Sequence, residues 1–236
     1  MRKIKLALLT CILLLLASCA SISQDGLQQA HYKATKHIFL PDVLPPPPVE
    51  NSVADRQDLQ VVLNAQRNRT ANQIKEAQLD VALSIFRFQP VLGDKFTSEN
   101  LPVMSAFFDR VKDDQKIPVR FAKNYYHRKR PYIVSNLVKP VVKQPHNASY
   151  PSGHTAFAYV SAILLAKMLP EKKTEIYARA DAFSNNRLIA GVHYPSDITA
   201  GKISAAVIAH DLLQDQEFIR EFNQARSELR HTLRLP

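Results

Sequence analysis

Lys123 and Arg130 stand seven residues apart with Pro131 directly after, Ser152-Gly153-His154 follows Pro151, and Arg187, His193 and Asp197 fall close together near the C-terminal third. Seven residues is about two helical turns, so on a continuous helix both cationic heads would project from one face. Alone, such a pair is more often a solvated stripe, and His127, Arg128 and Lys129 between them read that way. Ser152-Gly153-His154 opens an apolar run, where free backbone N–H groups and the helix dipole would favour an anion. Gly153 would let the backbone approach closely, and the Ser152 hydroxyl could cap the helix or donate to a bound oxygen. Alone, this is more often just a cap beside a surface histidine. The four-residue offset from His193 to Asp197 is broken by Pro195. A turn there, with Asp197 early in the next helix, still lets the carboxylate reach one imidazole nitrogen and leave the other as a lone-pair donor. Alone, that pair is structural about as often as catalytic.

The elements that must carry these residues read as helices. Apolar residues recur at three- and four-residue intervals over 52–70 and 71–86, and again in segments covering 97–116, 117–133, 146–169, 171–192, 195–213 and 215–234. Thr97 or Ser98 is the expected cap of the 97–116 helix, with Pro102 in its first turn. Five Gly, no Trp and few β-branched runs argue against a sandwich or barrel. The expectation is an all-α fold: one compact, single-domain helical bundle. Leu44-Pro45-Pro46-Pro47-Pro48 cannot be helical and is expected to lie over the domain as a stiff arm.

Composition narrows the partners. The formal charge of +10 includes Arg2, Lys3 and Lys5 near the start, and the rest still calls for anionic partners. No motif of the usual nucleic-acid modules is present, so nucleic acid is not expected. Met1 to Lys5 is basic and Leu6 to Leu16 is an apolar run too short to span a bilayer comfortably, which is the pattern of an export leader. It ends in Leu16-Ala17-Ser18-Cys19, which resembles the bacterial lipobox. That resemblance implies a signal peptide over 1–18, lipid on Cys19, a polar tether over 19–40 and a domain over 41–236. The location would be the bacterial cell envelope, periplasmic and lipid-anchored to the membrane through Cys19. Cys11 and Cys19 are the only cysteines, so the mature domain would have no disulfide.

Taken in order, Lys-x6-Arg-Pro, Pro-Ser-Gly-His and Arg-x5-His-x3-Asp resemble the three-part signature of the type 2 phosphatidic acid phosphatase (PAP2) superfamily, which includes the vanadium haloperoxidases. The proline run and Ser149-Tyr150-Pro151-Ser152-Gly153-His154-Thr155 make the chain similar to the bacterial class A non-specific acid phosphatases. The resemblance implies a helical bundle of the PAP2/haloperoxidase type and a metal-independent acid phosphatase acting on small phosphate monoesters. Lys123, Arg130, Arg187, Ser152 and Gly153 would bind the phosphoryl oxygens. His193, oriented by Asp197, would attack phosphorus to give a phosphohistidine, and His154 would act as general acid and then base. No cofactor or metal is implied. His31, His37, His146, His210 and His231 read as incidental. Two departures are visible: Asn186 stands where the family has Ser, and Ala148 where class A enzymes often have Gly. The alternatives are an envelope lipid-phosphate phosphatase, a haloperoxidase, or a non-catalytic lipoprotein that binds anions. The natural substrate, phosphotransfer to alcohols and a homo-oligomeric state are open on sequence alone.

Overall fold

The computed structural model describes residues 30–235, so the expected leader, Cys19 and the first residues of the tether lie outside the described residues. Nine α-helices make up the described chain, with no strand among these residues: α1 (Val53–Asn68), α2 (Ala71–Leu79), the one-turn α3 (Gln89–Leu92), α4 (Pro102–Tyr126), the one-turn α5 (Pro131–Val134), α6 (Gly153–Met168), α7 (Lys173–Ile189), α8 (Pro195–Leu212) and α9 (Gln216–Leu233). The bundle forms around α6. Its residues Ala156, Phe157, Val160, Leu164, Leu165 and Met168 are buried, together with Ala158 and Ala162 on other faces. A helix apolar all round must be surrounded, and α6 packs most extensively against α8 and α7, with α4 alongside. Each large apolar side chain so enclosed contributes roughly 1.5–3 kcal/mol.

Two close approaches set the geometry at the head of α6. A Cβ on Gly201 of α8 would lie 2.8 Å from the Ser152 carbonyl oxygen and 2.8 Å from Thr155 Cβ. Only a residue without a side chain lets α8 come so near. The Ser152 N–H then donates to the Asp197 carbonyl at 3.0 Å, tying the start of α6 to the first turn of α8.

The helical expectations hold in outline and fail at particular ends. The segments expected over 97–116 and 117–133 run together as a single helix, α4, with Pro118 inside it. Pro118 removes one backbone bond, but the buried face of Met104, Phe107, Phe108, Val111, Val119 and Ala122 runs past it, and burial carries the helix through. Neither Thr97 nor Ser98 caps α4. Its first free N–H groups, of Val103 and Met104, donate instead to the Glu228 carboxylate of α9 at 3.1 and 2.8 Å. The helix expected to reach residue 86 stops at Leu79, because Asp80 is drawn wholly inside the protein.

The proline arm lies where the sequence places it. Tyr126 donates its hydroxyl to the Leu44 carbonyl at 3.2 Å, and Tyr150 donates to the Pro45 carbonyl. The stretch before it, expected as tether up to residue 40, is packed on the domain from its described start. Tyr32 is 0% exposed. Its N–H donates to Asp114 of α4 at 2.7 Å and its hydroxyl to Glu221 of α9 at 2.6 Å.

Candidate active site

The three sequence stretches converge on one cavity of about 310 Å³, lined among others by Lys123, Arg130, Gly153, His154, Arg187 and His193. The Lys123–Arg130 pair does not meet as two heads on one helix face. α4 ends at Tyr126, His127 takes a left-handed conformation (φ 51°) and Arg130 is extended, directly before α5. The heads are gathered by a shared partner: Lys123 Nζ donates to the Ala148 and Ser149 carbonyls at 2.6 and 2.9 Å. Arg130 Nη2 reaches the same Ala148 carbonyl at 3.3 Å, and its Nε donates to the Asn147 carbonyl at 2.8 Å. The position where class A enzymes often have Gly therefore contributes a backbone oxygen, which Ala supplies equally well.

His193 is buried just before α8. Pro195 begins that helix and Asp197 sits in its first turn. Asp197 Oδ2 accepts from His193 Nδ1 at 3.0 Å and from the Tyr194 N–H at 3.0 Å. A carboxylate can only accept here, so Nδ1 carries the proton and Nε2 presents its lone pair. Arg130 Nη1 lies 3.3 Å from that Nε2 while donating to the Val192 carbonyl at 2.7 Å. Burial, reinforced by Arg130, Lys123 and Arg187, holds His193 well below the ordinary histidine value.

Arg128 corrects the sequence reading. His127 and Lys129 are solvated as expected, but Arg128 is buried and donates to the other Asp197 oxygen at 2.8 Å. Asp55 and Asp58 of α1 hold the same guanidinium at 3.1 and 2.9 Å, and it lies 4.0 Å from the centre of the Tyr194 ring. Burial pushes the Asp197 carboxyl up, and Arg128 and the Tyr194 N–H oppose that.

His154 stands in the first turn of α6. Its Nε2 lies 3.1 Å from the Val81 carbonyl. A carbonyl only accepts, so Nε2 carries a proton and Nδ1 is the nitrogen able to exchange one. Burial first, then Arg187 and His193, depress its affinity for a second proton. Arg187 is 2% exposed. Its Nη1 donates to the Asp80 carbonyl at 3.2 Å, whereas its buried Nε–H has no partner. Burial lowers its pKa to about 10.

Ser152 and Asp197 are the two members of the predicted set that do not line the cavity. The Ser152 hydroxyl accepts from the Thr155 N–H at 3.3 Å and caps α6. At Gly153 an added Cβ would make only ordinary contact with Val119, at 3.5 Å, so the protein's own packing does not require glycine there.

Asn147, Asp80, Arg128, Asp55 and Asp58 were missed by sequence reasoning. Asp80 Oδ2 accepts from Asn186 at 2.7 Å, which gives a task to the residue that departs from the family's Ser. No sequence signal marks these residues: Asp197, a partner of Arg128, and Asn186, a partner of Asp80, lie 69 and 106 residues away.

The cavity wall contains no carboxylate among the described residues. A group that could hold a cation, His31, Glu217 and Glu221, lies on the N-terminal stretch and α9, and none of its members lines this cavity.

Comparison with known proteins gives a consistent picture. A family model for the PAP2 superfamily matches residues 115–220. The chain is 30% identical over 195 residues to a non-specific acid phosphatase of Salmonella typhi, covering 79% of this chain and 78% of that protein. It is 29% identical over 197 residues to one of Providencia stuartii, covering 79% of each. Among solved structures it is similar in fold to the first bacterial vanadium-dependent iodoperoxidase, with a TM-score of 0.56 and 16% identity over 73% of this chain. The chain spans about half, 51%, of that larger protein.

Proposed function

The chain belongs to the PAP2 superfamily and is a phosphoric monoester hydrolase, and from that premise we propose that it works without a metal ion through a phosphohistidine on His193. The observation that carries this reading is electrostatic. Lys123, Arg130 and Arg187 are buried around one cavity, and their hydrogen bonds go to carbonyl oxygens, one amide and His193 Nε2, not to carboxylates. Buried charge without a counter-ion is costly, and burial depresses the proton affinity of all three. A phosphate dianion supplies the missing charge, and the unpartnered Arg187 Nε–H is a donor ready for one of its oxygens. The same wall would repel a divalent cation, since its donors are cationic and no carboxylate among the described residues faces the cavity.

His193 Nε2 attacks phosphorus as the P–O ester bond breaks, and the departing alkoxide takes a proton from His154. Water then attacks the phosphohistidine, giving a proton back to His154, and the P–N bond breaks to release phosphate and His193. Lys123, Arg130, Arg187 and the Gly153 N–H stabilise charge on the phosphoryl oxygens throughout, and Ser152 supports that N–H by capping its helix. Small phosphate monoesters are the substrates.

The proposal extends to export, with residues 1–18 as leader, Cys19 lipidated, and the enzyme in the bacterial periplasm held to the membrane by that lipid. No helix among the described residues is long and apolar enough to cross a membrane.

Hydrolysis of p-nitrophenyl phosphate with excess EDTA, comparing the native chain with His193→Ala, tests the chemistry. Activity that survives EDTA, vanishes in the variant and leaves acid-labile label on His193 is expected. Loss of activity in EDTA would sink the metal-free site. Labelled fatty acid on the native chain but not on Cys19→Ser tests the anchor.

A further inference from the structure

Asp80 does not line the cavity, yet two groups that do are held by its immediate backbone. Its own carbonyl accepts from Arg187 Nη1 at 3.2 Å, and the next carbonyl, of Val81, accepts from His154 Nε2 at 3.1 Å. These oxygens belong to consecutive residues, so the stiff peptide between them leaves few ways to change their spacing. The Asp80 carboxylate adds a side-chain clamp to the turn's own backbone bonds. It is 0% exposed and accepts from Arg87 Nε at 2.7 Å, Arg179 Nη2 at 2.5 Å and Asn186 Nδ2 at 2.7 Å. Asn186 directly precedes Arg187 in the last turn of α7, so the clamp joins the turn to the helix that carries the phosphate-binding cation.

We propose, resting on the assignment of His154 as leaving-group acid, that Asp80 is a positioning residue that fixes the Arg187 guanidinium and the His154 imidazole relative to each other. Arg187 locates the phosphoryl group, and the Asp80–Val81 turn then determines whether His154 Nδ1 meets the leaving oxygen. By bonding to Nε2, the Val81 carbonyl also selects the tautomer in which Nδ1 does the transfer. Asn186 belongs to this device: its amide reaches the carboxylate directly, linking α7 to the clamp.

The readout is leaving-group dependence. p-Nitrophenolate departs with little protonation, whereas the alkoxide of glycerol 2-phosphate needs an acid. General acid catalysis is worth about 10²–10⁴-fold, so partial misplacement of His154 in Asp80→Asn should lower kcat/KM for glycerol 2-phosphate relative to p-nitrophenyl phosphate by about tenfold. His154→Ala sets the full scale, and Asn186→Ala should shift the ratio in the same direction by less. A purely structural role would lower the melting temperature and both rates together. Folded Asp80→Asn and Asn186→Ala that keep the native ratio, while His154→Ala loses it, would overturn the role of Asp80 alone. If Asp80→Asn does not fold, because Arg87 and Arg179 are left facing a neutral amide, Asn186→Ala decides by the same ratio. A native ratio in His154→Ala would remove the acid assignment and the inference with it.

Discussion

The roles proposed for His154 and His193 have opposite needs, and the protein meets only one of them by itself. The nucleophile must be neutral, and burial with three surrounding cations keeps His193 so well into the acidic range. The acid must be protonated, but burial, Arg187 and His193 hold His154 neutral as well. A bound phosphate dianion reverses the field at His154, so substrate charges its own acid. Binding of sulfate, a dianion with no proton of its own to exchange near neutral pH, should therefore take up close to one proton. Calorimetry in two buffers of different ionisation enthalpy would show it, and buffer-independent heats would exclude it. The same depression fixes the sign of the pH effect on stability. Both histidines bind protons more weakly folded than unfolded, so their contribution is present above the ordinary value of about 6.5 and is lost as pH falls through the depressed folded values. In phosphate-free buffer the melting temperature should fall between pH 7 and 5, and added phosphate should restore it. Gly153 gives a cleaner local test. Gly153→Ala meets no clash within the protein, so it should melt like the native chain while raising KM several-fold, and an unchanged KM would remove Gly153 from the phosphate seat.

At the scale of elements, the site depends on how closely α8 approaches the head of α6. Gly201→Ala places a methyl 2.8 Å from the Ser152 carbonyl and Thr155. Overpacking of this kind costs about 1–3 kcal/mol, and it should also push the Ser152–Asp197 backbone bond apart. Melting temperature and kcat should fall together. Glu228→Ala is the contrast, because it removes the carboxylate that caps α4 far from the cavity and should cost about 1 kcal/mol with kcat unchanged. These two elements also show how far the sequence could be read. Helical periodicity revealed the helices, and the three motifs named Lys123, Arg130, Gly153, His154, Arg187 and His193, which line one cavity, but not Asn147 beside them. Helix ends set by distant partners were illegible. Nothing near Pro102 points to Glu228, 124 residues from Met104. The periodic pattern through Val81 and Leu83 hides the break at Asp80, whose partners Arg179 and Asn186 lie 99 and 106 residues on. Arg128 looked solvated because its partners, Asp55, Asp58 and Asp197, come from both sides of it in sequence.

For the molecule as a whole, the stretch before residue 41 decides how much of the chain is needed for folding. Its composition suggested a tether, but Tyr32 plugs the groove between α4 and α9, packing edge-on to Phe218 with ring centroids 5.0 Å apart. His31 and Tyr32 each give a backbone N–H at 2.7 Å to Asp114, which is otherwise enclosed. A chain that begins at Pro41 would lose the aromatic ring, worth roughly 3–5 kcal/mol, and would strand the Asp114 carboxylate at a further cost of about 1–3 kcal/mol. For a domain of this size, that should lower the melting temperature by more than about 10 °C. A chain that begins at Ala30 is the reference for that shift. Equal melting temperatures for the two would restore the tether reading. Asp114→Asn separates the contributions: in the chain beginning at Pro41 it should recover some of the loss, because a neutral amide is cheaper to strand than a charge. In the full chain the same change should destabilise, because the two oxygens each accept one backbone N–H and an amide keeps only one of them as an acceptor. Opposite signs for one substitution in two chain lengths would identify the N-terminal stretch as a structural component of the phosphatase domain.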